Sequence, residues 1–132
     1  MKRIFVNGTF DILHRGHVEL LNYARAQGDH LLVAIDSDER VQQLKGPARP
    51  INTLEDRMFM LSNLRSVDQV ASFNSDQELE SIIKQYAPDA MIKGSDYVGK
   101  QVIGAEYCKA IEFYNLVDGY STTKKIQDIT GR

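Results

Sequence analysis

Cysteine is almost missing from this chain: Cys108 is the only one in 132 residues. An internal disulfide is therefore excluded, and a reducing compartment is expected, with the cytoplasm as the default. Long apolar runs are missing too. No stretch approaches the roughly 18 unbroken apolar residues of a membrane helix. The N-terminal run ends at Asn7, too soon for a secretory signal. Charge of one sign is also scarce. A net charge of −2 gives no broad attraction to nucleic acid or anionic lipid, so neither is expected as a partner, although local basic patches can hold small phosphorylated ligands. Among catalytic frames, no HExxH is present, and beyond His14 and His17 the chain has only His30, so no protein metal site is expected. No GxGxxG follows the first apolar run, and no GxxxxGK[ST] occurs, which argues against a dinucleotide fold and a P-loop NTPase. Repeats, low-complexity tracts and linkers are absent.

What remains is one ordinary globular domain, residues 1–132, with 42% apolar residues to build a single core. Arg3 to Asn7 reads as a short strand, followed by a loop from Gly8 to Gly16. From His17 the spacing Val18, Leu21, Ala24 is helical, and Gly28 stands where a helix-capping glycine belongs. Leu31 to Ile35 is a continuous apolar run, the pattern of a strand buried on both faces. Asp36 to Asn52 reads as a polar segment. Thr53 caps a further helix with Leu54, Met58 and Leu61 on one face. Gln69 to Phe73 is a third strand. Ser75 and Glu78 form a capping box for a helix with Leu79, Ile82, Ile83 and Tyr86 as its apolar stripe, stopped by Pro88. Asp89 to Lys93 and Ile111 to Val117 are the fourth and fifth strands, and Thr122 to Ile129 is a last short helix; residues 98–106 carry no assignable pattern. This alternation predicts a doubly wound, Rossmann-like α/β domain with a five-stranded parallel sheet flanked by helices. In such sheets ligands bind beyond the carboxyl ends of the strands, where strand order reverses. The loops after the strands, at 8–16, 36–52, 94–97 and 118–123, should therefore share one edge and form the site.

The most informative stretch is Gly8-Thr9-Phe10-Asp11 followed by His14-x-Gly16-His17. A glycine-bearing loop after the first strand lets backbone amides approach phosphate oxygens. His17 opens the helix, where free N–H groups and the helix dipole favour an anion. Two imidazoles there can donate to phosphate without the permanent charge of lysine. An isolated loop histidine is more often a plain surface residue, but glycine loop, helix start and paired histidines coincide at one strand–helix junction.

These residues resemble the signature of the HxGH nucleotidyltransferase superfamily, and Ser121-Thr122-Thr123 resembles its second signature near the C-terminus. The likeness runs from Ile4 to Ile129. It is strongest to the heptose 1-phosphate adenylyltransferase domain of ADP-heptose synthesis, through Asp11-Ile12-Leu13-His14, Leu44-Lys45-Gly46-Pro47, Arg49-Pro50-Ile51-Asn52, Glu55-Asp56-Arg57-Met58, Lys93-Gly94-Ser95-Asp96-Tyr97 and Asp118-Gly119-Tyr120-Ser121. Glycerol-3-phosphate cytidylyltransferases are also similar, but they carry Arg-Thr-Glu-Gly before the triplet where this chain has Val117-Asp118-Gly119-Tyr120. A nucleotide-binding regulator without turnover is a third reading, disfavoured because every phosphate-handling position of the motif is filled.

The resemblance implies a role for each matched residue. His14 and His17 hold the triphosphate and stabilise the transition state, with Gly8, Thr9, Phe10 and Gly16 shaping the loop around the nucleotide. Asp11 is expected near the acceptor phosphate. Lys45 neutralises the acceptor or alpha-phosphate, though a lysine in a loop flanked by glycine and proline is usually just solvated. Arg49 is divided between a phosphate contact and loop packing. Arg57 is expected to reach phosphate from its helix, and is equally placed to pair with Glu55 or Asp56 at the surface. Gly94 and Asp96 line the ribose and base pocket, or make only a turn. Ser121, Thr122 and Thr123 meet the beta- and gamma-phosphates, or cap the last helix through the same N–H groups. Mg2+ is expected with the nucleoside triphosphate, held by substrate oxygens. The implied partners are ATP or CTP and a small phosphorylated acceptor. The chain leaves no room for the sugar kinase domain often fused to such enzymes, which leaves two readings open, a separate kinase partner or a different acceptor. A homodimer is implied by resemblance alone. Cys108 lies far from every motif and reads as a small packed residue.

Overall fold

The computed structural model describes residues 1–115. Along that length run β1 (Arg3–Gly8), α1 (Arg15–Ala26), β2 (His30–Asp36), α2 (Asp38–Lys45), α3 (Leu54–Ser62), β3 (Gln69–Phe73), α4 (Asp76–Tyr86), β4 (Ala90–Gly94) and β5 (Ala110–Tyr114). Two single 3-10 turns, Ser95–Tyr97 and Ala105–Tyr107, lie between β4 and β5. The expected last helix and the Ser121-Thr122-Thr123 triplet lie outside the described residues.

The strands form one five-stranded sheet in the order β3-β2-β1-β4-β5, and every pairing is parallel. The expected doubly wound α/β fold is what the chain adopts. Parallel strands are buried on both faces, and β1 and β2 show why their apolar runs are continuous. Ile4, Val6, Leu31, Val33 and Ile35 point to one face and pack with Leu21 and Ala24 of α1 and Leu61 of α3. Phe5, Leu32, Ala34 and Met91 point to the other, against Leu79 and Ile83 of α4. The first two crossovers move outward from β1 and leave α1 and α3 on one face. The third returns across the sheet from β3 to β4 and leaves α4 on the opposite face. Strand order thus reverses between β1 and β4, and a crevice opens there.

Three local expectations are revised by packing. The polar segment 36–52 contains a helix, α2, capped by the Ser37 side chain and opened by Asp38 and Glu39, with Val41 its one buried residue. So little of α2 touches the core that no apolar stripe marks it, and only its cap and first-turn acids signal it. Gly28 is not in the left-handed capping conformation expected of it; α1 ends at Ala26 with Gln27 as its cap. Gly28 is a glycine because β1 passes beside it: a Cβ there would stand 2.7 Å from both the Ile4 side chain and the Lys2 carbonyl oxygen. The Ser75 hydroxyl does accept from the Glu78 N–H, but the Glu78 carboxylate returns to the Asn74 N–H, one residue outside the expected box.

Candidate active site

The carboxyl ends of the strands open into a cleft of about 530 Å³, within the usual size of a small-ligand site. Its walls include Gly8, Thr9 and Phe10 after β1, His14, Gly16 and His17 at the head of α1, Lys45 at the end of α2, and Gly94 and Asp96 after β4. Most of the residues expected from the sequence are thus gathered on one surface.

The two histidines owe their arrangement to the start of α1. His14 is the N-cap residue and His17 the third helical residue, and they form a reciprocal capping box. The His17 backbone N–H donates to Nδ1 of His14 at 3.4 Å, and the His14 backbone N–H donates to Nδ1 of His17 at 3.3 Å. The rings stack with centroids 3.7 Å apart. This geometry has a chemical consequence. A neutral imidazole whose Nδ1 accepts a hydrogen bond carries its proton on Nε2. Both rings are therefore held in the Nε2–H tautomer, as donors. His17 stays neutral: burial, with the nearby His14 and Lys45, lowers its pKa to about 3 against the opposing pull of Asp11. The spacing His-x-x-His is what lets each ring accept the other residue's backbone N–H and leaves two ring N–H donors at the positive end of a helix.

The loop that delivers these rings is under backbone strain. Phe10 and Ile12 both have positive φ, at 52° and 50°, a conformation that costs non-glycine residues about 1–3 kcal/mol each. Phe10 is held in it by burial and by its contact with the His17 ring at 5.1 Å. Beneath the loop sits Asp11, fully buried, whose carboxylate accepts the backbone N–H of Ile51 at 2.7 Å and of Asn52 at 2.9 Å. Arg49 donates to the same carboxylate at 3.3 Å. Asp11 and Arg49 therefore meet each other behind the cleft wall rather than on it. They remain close enough to matter electrostatically. Burial, and then Arg49, lower the Lys45 pKa, while Asp36 and Asp11 raise it.

Arg57 is the clearest correction. Its side chain is fully buried, which neither a phosphate contact nor a surface ion pair with Glu55 or Asp56 allows. It donates to the carbonyl oxygens of Asn52, Thr9 and Asp36 and to the carboxylate of Asp38. Arg57 is a clamp that ties the loops after β1 and β2 and the head of α3 to one another. It positions the wall and does not line it.

The cleft also holds residues whose roles the sequence did not suggest: Asn7, Asp36, Arg40, Phe73, Lys93 and Tyr97. Lys93 is the most unusual. It is 8% exposed, donates to Oδ1 of Asn7 at 2.8 Å, and lies 4.7 Å from the centre of the Tyr97 ring. Burial lowers its pKa to about 8, against the pull of Asp36 and Asp96. The available signal was a lysine closing the apolar run Ala90-Met91-Ile92, at the end of a strand that should lead into a site. Arg40 is bound to Asp36 at 3.1 Å and to Asp76. Among the described residues, no group of three or more His, Cys, Asp or Glu side chains could cage a metal ion, and no helix is long and apolar enough to cross a membrane. Cys108 is half-buried, its thiol pushed up to about 11 by burial and by Glu106.

The family model described as cytidylyltransferase-like matches residues 5–129, nearly the whole chain. The chain belongs to that family. Among curated relatives, the bifunctional protein HldE of Sulfurimonas denitrificans is 49% identical over 130 residues, 98% of this chain and 27% of that protein. The bifunctional protein HldE of Helicobacter hepaticus is 47% identical over 128 residues, 97% of this chain and 26% of that protein. The chain thus spans about a quarter of the length of these relatives. Among solved structures, a lipopolysaccharide core biosynthesis protein from Thermoplasma volcanium superposes with a TM-score of 0.70 at 24% identity, covering 89% of this chain and 99% of that one. This likeness extends the agreement in fold.

Proposed function

We propose that this chain is a nucleotidyltransferase that moves AMP from ATP to a sugar 1-phosphate of the heptose 1-phosphate kind and releases pyrophosphate. The observation that carries the reading is the His14–His17 pair: two stacked imidazoles, each fixed as an Nε2–H donor at a helix N-terminus on the cleft wall. The family and the near 50% identity to part of the HldE proteins support it.

The reaction needs little covalent help from the protein. A phosphate oxygen of the acceptor attacks the alpha-phosphorus in line, a new P–O bond forms, and the bond to the bridging alpha–beta oxygen breaks, leaving as pyrophosphate. Catalysis is then positioning and charge stabilisation. His14 and the neutral His17 donate through Nε2–H to phosphate oxygens as charge grows on them. The N–H groups opening α1 and its dipole add to the same field. Lys45 supplies positive charge across the cleft, and its lowered pKa reflects partial removal from water. Mg2+ arrives as part of the nucleotide substrate, on its own phosphate oxygens.

A pyrophosphate-release assay tests the reading. Wild-type protein is supplied with ATP or CTP and with sugar 1-phosphates, including heptose 1-phosphate, or glycerol 3-phosphate. The highest kcat/KM is expected for ATP with heptose 1-phosphate. If CTP with glycerol 3-phosphate is the best pair, the adenylyl reading is wrong. If no pair releases pyrophosphate, the enzymatic reading falls in favour of a nucleotide-binding regulator.

A further inference from the structure

The cleft has two halves, and strand alternation separates them. Successive side chains of a strand point to opposite faces. Phe5, Leu32, Ala34 and Met91 lie on the α4 face of the sheet, so Asn7, Asp36 and Lys93, two residues further along the same strands, lie on that face at its open edge. The 2.8 Å contact from Lys93 to Asn7 agrees with this placement. The half of the cleft on the α4 face continues onto an apolar wall of Phe73, Leu79, Val102 and Ile103. The histidines, Gly16 and Leu20 belong to α1 and its N-cap and occupy the other face. The halves meet at Gly8 and Gly94, between β1 and β4.

The electrostatics of the α4-face half are unbalanced. Asp36 is neutralised by Arg40, and the surplus carboxylate on that guanidinium, Asp76, is largely exposed and therefore screened. Asp96 is exposed and therefore screened. Lys93, by contrast, is buried with a neutral amide and an aromatic ring as neighbours. None of the ion pairs among the described residues includes it. A desolvated ammonium with no carboxylate in direct contact is costly to the fold, and one on the wall of a cleft is completed by an anion that enters it. On the other half, the paired N–H donors and the helix N-terminus already suit a triphosphate.

We propose that the α4-face half of the cleft is the acceptor subsite, with Lys93 as the residue that binds the acceptor's phosphate and the apolar wall against its carbon skeleton. The inference rests on the nucleotidyltransferase reading and assigns its second substrate a place. It also gives the reaction its line. A phosphate held by Lys93 approaches an alpha-phosphate held from the α1 side across the crevice between β1 and β4.

Isothermal titration on wild type, Lys93→Met, Lys93→Gln and Lys93→Arg tests it, with heptose 1-phosphate, glycerol 3-phosphate and MgATP as separate probes. Loss of one charge-assisted contact predicts acceptor affinity weaker by ~10- to 100-fold in the Met and Gln variants, partly restored in Arg, with MgATP affinity within about 3-fold of wild type. Melting temperature should hold or rise in Lys93→Met, because a buried ammonium is removed. Lost MgATP binding with acceptor affinity unchanged places Lys93 on the nucleotide and overturns the inference. A lowered melting temperature with both affinities intact makes Lys93 structural and does the same. If wild type binds glycerol 3-phosphate in preference to heptose 1-phosphate, the proposed acceptor is wrong, and the same substitutions read on glycerol 3-phosphate still decide the subsite. A folded wild type that binds neither acceptor overturns both.

Discussion

Replacing His17 by Asn and, separately, by Gln takes apart the two tasks of one ring. Its Nδ1 accepts the His14 N–H and closes the capping box; its Nε2–H is the proposed phosphate donor. The oxygen of Asn sits close to where Nδ1 does, so His17→Asn keeps the cap and loses the donor. The amide of Gln reaches toward Nε2, so His17→Gln keeps a donor and loses the cap. A donor lost from a transition state costs about 100-fold or more in kcat, whereas a lost helix cap costs about 0.5–2 kcal/mol of stability. The contact is long, at 3.3 Å, which puts the expected loss near the lower end. His17→Asn should therefore be stable and nearly inactive, and His17→Gln less stable and more active. A pH series adds a second reading. The folded pKa is about 3 against an ordinary 6.5, so as pH falls below 6.5 the unfolded chain takes the proton first. Stability is then full above about pH 6.5 and declines as pH falls towards 3. At pH 5 the loss from this ring is about 2 kcal/mol at 1.36 kcal/mol per pH unit, and about 1–2 kcal/mol once its partial exposure to solvent is allowed for. Urea unfolding of wild type and His17→Asn from pH 7.5 to 4.5 measures it, because the difference between the two profiles removes the other titrating groups. A flat difference profile refutes the buried, neutral ring, and wild-type kcat in His17→Asn would falsify its role as donor.

Two further predictions concern the scaffold. Arg57→Met should destabilise the fold by about 3 kcal/mol or more, since three backbone carbonyls and Asp38 lose a buried donor. Hydrogen exchange should quicken around Thr9 and Asn52 in that variant, and an unchanged unfolding midpoint would return Arg57 to the role of a phosphate ligand. Gly28→Ala should cost about 1–3 kcal/mol by overpacking against β1, read as a lower melting temperature; a gain in stability would show that β1 leaves room for the Cβ and that the reduced freedom of the unfolded chain decides.

The strands and most helices were legible before any coordinates because their signals are local. Continuous apolar runs at Leu31–Ile35 and Ala90–Ile92, caps at Thr53 and Ser75, and the 3.6-residue stripe of α4 each follow from a short stretch of chain, and their alternation implies a parallel sheet. The His14-x-Gly16-His17 motif was legible for the same reason: the capping box that fixes both tautomers lies within four residues. The α2 helix was not, since it buries only Val41 and so leaves no periodic mark. The remaining decisions needed tertiary structure because they join distant residues. Arg57 meets Thr9 and Asp36 across 48 and 21 positions, and no local pattern distinguishes such a clamp from a surface arginine. Lys93 meets Asn7 across 86, because the return crossover from β3 places β4 beside β1. Sequence marked the residues whose chemistry suits a phosphate; the order of the strands decided which of them face the cleft, which lie buried behind it, and on which side of the sheet each one stands.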